Sequence, residues 1–206
     1  NSIVVEKIIT SENEIDVTGD DWLPIGRFAI NKNPINPLVF PITEKLIHIS
    51  ALCNKSKLLR KEDNYEVVGD PTEAALLISA SKLSLHKASL LRQFPRIDEI
   101  PFSSERKMMS TIHVLPKKIH MLTKGAPEII IKKSSHVLIK GRISVLTEKK
   151  RQEIIHVSKQ LASEALRVLA FGYREIKNRD DKKEDHFIFV GLQAMIDPPR
   201  ESIRDD

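Results

Sequence analysis

The sequence predicts an α+β domain, a twisted, mainly antiparallel β-sheet flanked by helices. Two observations carry this. Strand-like segments come in close pairs around short turn sequences, and helical segments fall between those pairs instead of alternating strictly with single strands. A chain of 206 residues, 41% hydrophobic and 30% charged, is long enough to bury one substantial core.

Taken in order, Ile3 to Ile9 alternates as a short strand. Ser11 to Pro41 is polar and punctuated by Gly19, Pro24, Gly26, Pro34, Pro37 and Pro41, which reads as extended segments and loops. Thr43 is placed to cap a helix through Leu46, Ile47, Ile49, Leu52 and Cys53, ending at Asn54 to Lys57, with a charged loop following to about Tyr65. Asp70 then gives the clearest helix start: Asp as N-cap, Pro71 in the first turn and Glu73 three residues on to complete a capping box, for a helix from 71 to about 83. Ser84 to Pro95 fits neither period, and Ile97 to Phe102 reads as a strand.

Met108 to Leu115 and Ile119 to Thr123 form a hairpin pattern around Pro116-Lys117-Lys118. Pro127 opens a helix through Ile129, Ile130 and Ile131 to Lys132-Lys133. Val137 to Ile139 and Ile143 to Val145 flank Lys140-Gly141-Arg142 as a smaller hairpin. Thr147 caps a long helix in which Lys150, Ile154, Val157, Leu161 and Ala165 recur at helical spacing. Arg167 to Ile176 and Phe187 to Met195 are strands, joined by a solvated charged loop, Asn178 to Asp185.

Composition narrows the function. No stretch approaches the roughly 18 apolar residues of a membrane-spanning helix and no secretion signal opens the chain, so a water-soluble, intracellular piece is expected. The single cysteine, Cys53, supports neither a disulfide nor a thiolate metal site. The net charge of +5 admits an anionic partner, but basic and acidic residues are interspersed and aromatic residues are few, which argues against a nucleic-acid surface. No phosphate-binding Gly-x-x-x-x-Gly-Lys-Ser/Thr loop, His-Glu-x-x-His pair or Gly-x-Ser-x-Gly elbow supports a self-contained hydrolase or kinase.

Three short motifs carry chemistry. Phe102, at the end of a strand and just before Ser103-Ser104, can present a ring to an aromatic base. Lys124-Gly125-Ala126-Pro127-Glu128 sets a cation at a strand end, then a residue without a side chain, then a helix start whose free N–H groups welcome an anion. Thr72 and Glu73 sit in the first turn of their helix, where Glu73 caps and can also accept from an exocyclic amine. Arg167, between the long helix and a strand, can reach a phosphate bidentately.

Together, Gly69-Asp70-Pro71-Thr72-Glu73, Pro101 to Lys107 and Lys124 to Glu128, with Val17-Thr18-Gly19, Pro24-Ile25-Gly26, Arg167 to Ala170 and Asp197-Pro198-Pro199-Arg200, resemble the large cytoplasmic segment of P-type cation-transporting ATPases, closest to the calcium-pump-like branch. The resemblance covers essentially the whole chain and implies that family's nucleotide-binding domain fold. It implies that residues 11–190 bind ATP, and that 1–10 and 191–206 are hinge strands leaving and returning to a separate phosphorylation domain. That domain's aspartate takes the γ-phosphate, so this segment binds ATP without becoming phosphorylated, while Mg²⁺ acts in the intact pump and an actuator domain completes the partners. By the same resemblance Phe102 stacks on adenine, Lys107 and Lys124 line the pocket, Gly125 shapes its floor, Glu73 lies beside the adenine amine, Arg167 faces the phosphates, Thr72 and Leu169 are further nucleotide-binding residues, and Asp197 and Arg200 belong to the hinge. Reticulum-type calcium pumps carry an arginine two positions after the stacking phenylalanine. This chain has Ser104 there, which leaves Arg106 as the expected phosphate contact. The resemblance further implies a monomeric segment of an integral membrane protein's cytoplasmic part, without catalytic or metal-binding residues of its own. The alternative is a basic regulatory module docking an acidic partner or lipid headgroup.

Overall fold

Residues 2–19 and 26–197 are described by a computed structural model. The elements run β1 (Val4–Ile9), β2 (Glu14–Thr18), β3 (Arg27–Ile30), β4 (Asn33–Pro34), α1 (Pro41–Leu52), β5 (Lys57–Lys61), β6 (Asn64–Val68), α2 (Pro71–Ser81) and α3 (Lys87–Gln93). They continue with β7 (Arg96–Ser103), β8 (Met108–Leu115), β9 (Lys118–Gly125), α4 (Pro127–Lys132), β10 (Ser134–Ile139), β11 (Arg142–Val145), α5 (Glu148–Ser163), β12 (Leu166–Ile176) and β13 (Phe187–Ile196). Among the described residues, eleven strands form one sheet, nine of them in the order β4-β3-β2-β1-β13-β12-β9-β8-β7 with β10 and β11 branching from β13, and β5-β6 pair separately.

Every pairing is antiparallel except one. The first half of β13 pairs in parallel with β10, through Ser134↔Phe187 and Val137↔Phe189, while its second half pairs with β1 from Ile9↔Leu192 to Val4↔Ile196. Strand β13 is therefore the spine that holds the β10-β11 hairpin and the first strand in one sheet. The α+β expectation holds, with an essentially antiparallel sheet.

Alternation along the central strands sends residues to opposite faces. One face carries Met109, Leu122 and Phe171, which join Leu46, Ile49, Leu76 and Leu77 of α1 and α2 in a core cluster. The other carries Met108, Ile112 and Met121, which pack with Ile130 and Ile131 of α4 and Leu161 of α5. The two helices of the first face are well buried, whereas α5 buries only Leu161 fully.

Several local expectations change. Helix α1 begins at Pro41 with Phe40 in the cap position and no side-chain cap, so Thr43, fully buried inside the helix, is not its N-cap. Asn36 instead caps the preceding 3-10 turn, Pro37–Val39, by accepting from the Leu38 amide. The charged loop expected before Tyr65 is the β5-β6 hairpin, with Leu58 opposite Val67. The ambiguous stretch after Ser84 contains α3, and the polar stretch after Ser11 contains β2, β3 and β4.

Candidate functional site

The start of α2 is the hub. Asp70 Oδ1 accepts from the amides of Thr72 at 2.8 Å and Glu73 at 3.1 Å, as an N-cap should. Gly69 before it has φ +115°, and a Cβ there would come within 2.6 Å of Ser56 Oγ, so only glycine fits. Glu73 does not close a capping box. Its carboxylate accepts from the Lys55 amide at 3.0 Å and from Lys124 Nζ at 2.5 Å, while its carbonyl accepts from Asn54 Nδ2 at 2.8 Å.

Lys124 is 5% exposed, and its ammonium is bound by that carboxylate and by the Cys53 carbonyl at 2.6 Å. The cation expected at a strand end is thus half of a buried ion pair joining β9 to α2. Two further cations join Lys124 around the end of α1, whose last carbonyls lack partners within the helix and form its negative pole. Lys87 Nζ donates to the carbonyls of Asn54 at 2.5 Å and Ser56 at 2.8 Å, and Arg96 Nη2 to those of Leu52 at 2.8 Å and Asn54 at 3.1 Å. Burial, and then the charge of Arg96, push the Lys87 amine down to about 8. Neither residue lies in a motif, and no local pattern in the sequence marks them.

At the free edge of the sheet, Phe102 is 61% exposed. The register of β7 against β8 shifts between Ile100 and Ser103, and such an irregularity re-aims side chains. Strand β8 places Met109 opposite Lys124, so Phe102, two strands over, lies about 10 Å from the Lys124 backbone at ordinary strand spacing.

Lys107 is exposed in the turn between β7 and β8, at φ 57°, and its carbonyl accepts from the Ala126 amide at 3.0 Å. A Cβ on Gly125 would stand 2.4 Å from that carbonyl oxygen and 2.8 Å from Met108 Cβ. Strand-to-turn closeness therefore dictates this glycine. The start of α4 is less open than expected, since Pro127 has no N–H and the amides of Ile129 and Ile130 both bond the Ala126 carbonyl.

Arg167, half exposed, donates from Nη1 to Thr72 Oγ1 at 2.6 Å and from Nη2 to Asp197 Oδ2 at 3.4 Å. It ties the α2 start to the residue where β13 leaves the sheet. Leu169, two residues along the same strand, packs against the core under α1 and α2. Arg200 lies outside the described residues.

Arg106 departs from expectation. Its five N–H donors go to both oxygens of Glu184, to the carbonyls of Pro101 and Met108, and to Ser103 Oγ. Ser110 Oγ also donates to Glu184 Oε2 at 2.6 Å. The guanidinium staples the β7-β8 turn to the loop before β13 and has no donor left for a phosphate. Glu184 sits in a charged run that reads as a solvated loop, and its structural role carries no sequence signal.

The arrangement thus offers an exposed aromatic ring, a buried polar floor of Lys124 and Glu73, and a half-exposed guanidinium beside a hydroxyl. Among the described residues, no group of three or more His, Cys, Asp or Glu is placed to hold a metal ion.

The family model for the cytoplasmic domain N of P-type ATPases matches residues 43–202. A calcium-transporting ATPase of Bacillus cereus is 38% identical over 163 residues, covering 78% of this chain and 18% of that protein. A calcium-transporting ATPase of Bacillus subtilis is 32% identical over 209 residues, covering 99% and 24%, and the cation-transporting ATPase pma1 of Synechocystis is 33% identical over 210 residues, covering 97% and 23%. The chain belongs to the family of P-type ATPase cytoplasmic N domains. It spans between 18% and 24% of the length of these curated relatives. Among the described residues no helix is long and apolar enough to cross a membrane.

Proposed function

We propose that this domain binds ATP, with adenine stacked on Phe102, and presents the γ-phosphate to an aspartate on another domain of a cation pump. One observation carries the reading. Among the described residues Phe102 is the only exposed phenylalanine or tyrosine, and it stands two strands across the sheet from Lys124. An open ring face stacks any purine, worth about 1–3 kcal/mol per base. Lys124 and Glu73 neutralise one another and serve as a polar floor with Gly125, Lys107 and Leu169 at its margin. Arg167, already on Thr72, is the side chain free enough to turn toward phosphate.

The chemistry is positioning, which supports an attack that happens elsewhere. The domain by itself therefore binds and does not hydrolyse ATP. In the whole protein Mg²⁺, the phosphorylated aspartate and the actuator domain lie outside this chain, and calcium is the proposed ion because the relatives at 38% and 32% identity bear that name. Strands β1 and β13 lie side by side, which supports residues 1–10 and 191–206 as the two hinge connections, to which we assign Asp197 and, outside the described residues, Arg200.

Titrating ATP, ADP and GTP while following backbone amide shifts tests this. The expected result is a set of shifts around Phe102, Lys124 and Glu73 with a dissociation constant between about 100 μM and a few mM, since a stack and a few exposed polar contacts leave about 4–5 kcal/mol after association costs. Phe102→Ala is expected to weaken binding by about 1–3 kcal/mol with the fold intact. Shifts confined to Lys149 to Arg151, or submicromolar affinity, would overturn the reading.

A further inference from the structure

At the far end of the same sheet face, beyond Leu122, the first turn of α1 brings Lys45 down onto β9 and β12. Its ammonium lies 3.1 Å from His120 Nδ1 and 4.5 Å from the centroid of the Tyr173 ring, and the two rings stand 4.9 Å apart. Among the described residues no carboxylate comes within ion-pair distance of Lys45. The charged groups around it are unhelpful. Lys118, from β9, repels it; His113, from β8, sits opposite His120 with both ring nitrogens engaged; and on α1 Glu44 lies 3.9 Å from His48 Nε2, whose ring burial first holds below its ordinary value. Glu175 of β12 is paired with His120 in register but is exposed.

We propose that Lys45 is a site of covalent acylation by activated acyl donors of the acyl-phosphate class. The surroundings favour a neutral product. An ammonium there is partly stripped of water, has no carboxylate to pair with and is repelled by Lys118, which outweighs the attraction of the Tyr173 ring face and the His120 nitrogen, whereas an amide removes the charge altogether. A Schiff base would return a cation to the same place, and a carbamate would place an anion there. His120 Nδ1 accepts an N–H of Lys45 and fixes the direction of the lone pair, and Lys118 offers a cation to the departing phosphate.

In the step itself the ammonium first loses a proton to solvent. The Nζ lone pair forms a bond to the acyl carbon, the acyl carbon–oxygen bond to phosphate breaks, and phosphate leaves as its hydrogen dianion carrying the second proton from nitrogen. Burial, then Lys118, hold the Lys45 amine down to about 8. At about pH 7.5 it is therefore neutral about two hundredfold more often than an ordinary lysine amine of about 10.4.

The chain incubated with acetyl phosphate, digested and read by mass spectrometry gives the rate at each lysine. At about pH 7.5 Lys45 is expected to acetylate about tenfold or more faster than solvent-exposed Lys149, the lower nucleophilicity and partial burial of Lys45 taking back part of the difference in neutral amine. Its rate levels off above about pH 9, whereas ordinary amines keep gaining toward about 10.4. Lys118→Gln, at the sheet's tip, shifts that plateau upward and slows Lys45 at neutral pH. Equal or slower reaction than Lys149, or a Lys45 rate still climbing at pH 10, overturns the proposal. Neither outcome bears on nucleotide binding.

Discussion

On the face of β9 that packs against α1, Lys124 and His120 lie four residues apart, and each meets a lysine ammonium: Lys124 its own, His120 that of Lys45. The first is met by a carboxylate and a carbonyl. The second has a neutral ring nitrogen, an aromatic face and a like charge for company. The same sheet therefore tolerates a covered ammonium in two ways, by countercharge near the proposed nucleotide site and by an easier release of the proton at the distal end. The first arrangement fixes β9, α1 and α2 in place, and the second leaves a group that titrates near neutrality.

Breaking the countercharge should produce the largest effect. Glu73→Ala leaves Lys124 covered without an anion, which is expected to cost about 3–5 kcal/mol in a denaturant midpoint measurement. Adding Lys124→Met to that variant is expected to restore more than half of the loss. A cost of under about 1 kcal/mol for Glu73→Ala would mean that the pair is screened like an exposed one.

The distal end responds to pH. Burial first, and the cations Lys45 and Lys118 next, hold His120 down to about 3; burial first holds His113 down to about 4. Both folded values lie below the unfolded value near 6.5, so the unfolded chain takes up more protons and stability falls as pH drops from about 6.5 through 4, by an expected 2–4 kcal/mol, on the order of half the full linkage because both rings are only partly desolvated. Lys45 and Lys87, both at about 8, give the alkaline counterpart: stability rises between about pH 8 and 10.5, where the unfolded chain still holds protons that the folded one has lost. Equilibrium unfolding across pH, with His120→Gln and Lys45→Met as flattening variants, checks both slopes.

The smallest expected change is steric. Gly125→Ala drives a Cβ against the Lys107 carbonyl at the end of the same strand and should destabilise by about 1–3 kcal/mol. An unchanged melting temperature would show that the turn gives way.

What the sequence disclosed follows from the range of each interaction. The Asp70 cap, Pro71, and Thr147, whose hydroxyl accepts from the Lys150 amide, act within three residues and were legible, as were the β8-β9 hairpin and the long strands β12 and β13. Thr43 looks like the cap of α1, yet proline at 41 already sets the first turn and leaves Thr43 to the core. The β5-β6 hairpin hid because its outward residues mix charges with the exposed Leu59 and Val68, which blurs the inward period of Leu58, Tyr65 and Val67. Glu73 and Lys124 each stand in a legible motif, but their pairing spans 51 residues, and that of Arg106 with Glu184 spans 78. No local pattern encodes such partners. The clustering of Lys45, His120 and Tyr173 is likewise a product of topology, brought about by α1 crossing strands far along the chain.

Because Val4 sits opposite Ile196, the chain enters and leaves the sheet side by side. Tension applied between Val4 and Ile196 would bear on a single rung of the β1-β13 ladder at a time, so this edge is built to unzip and not to shear.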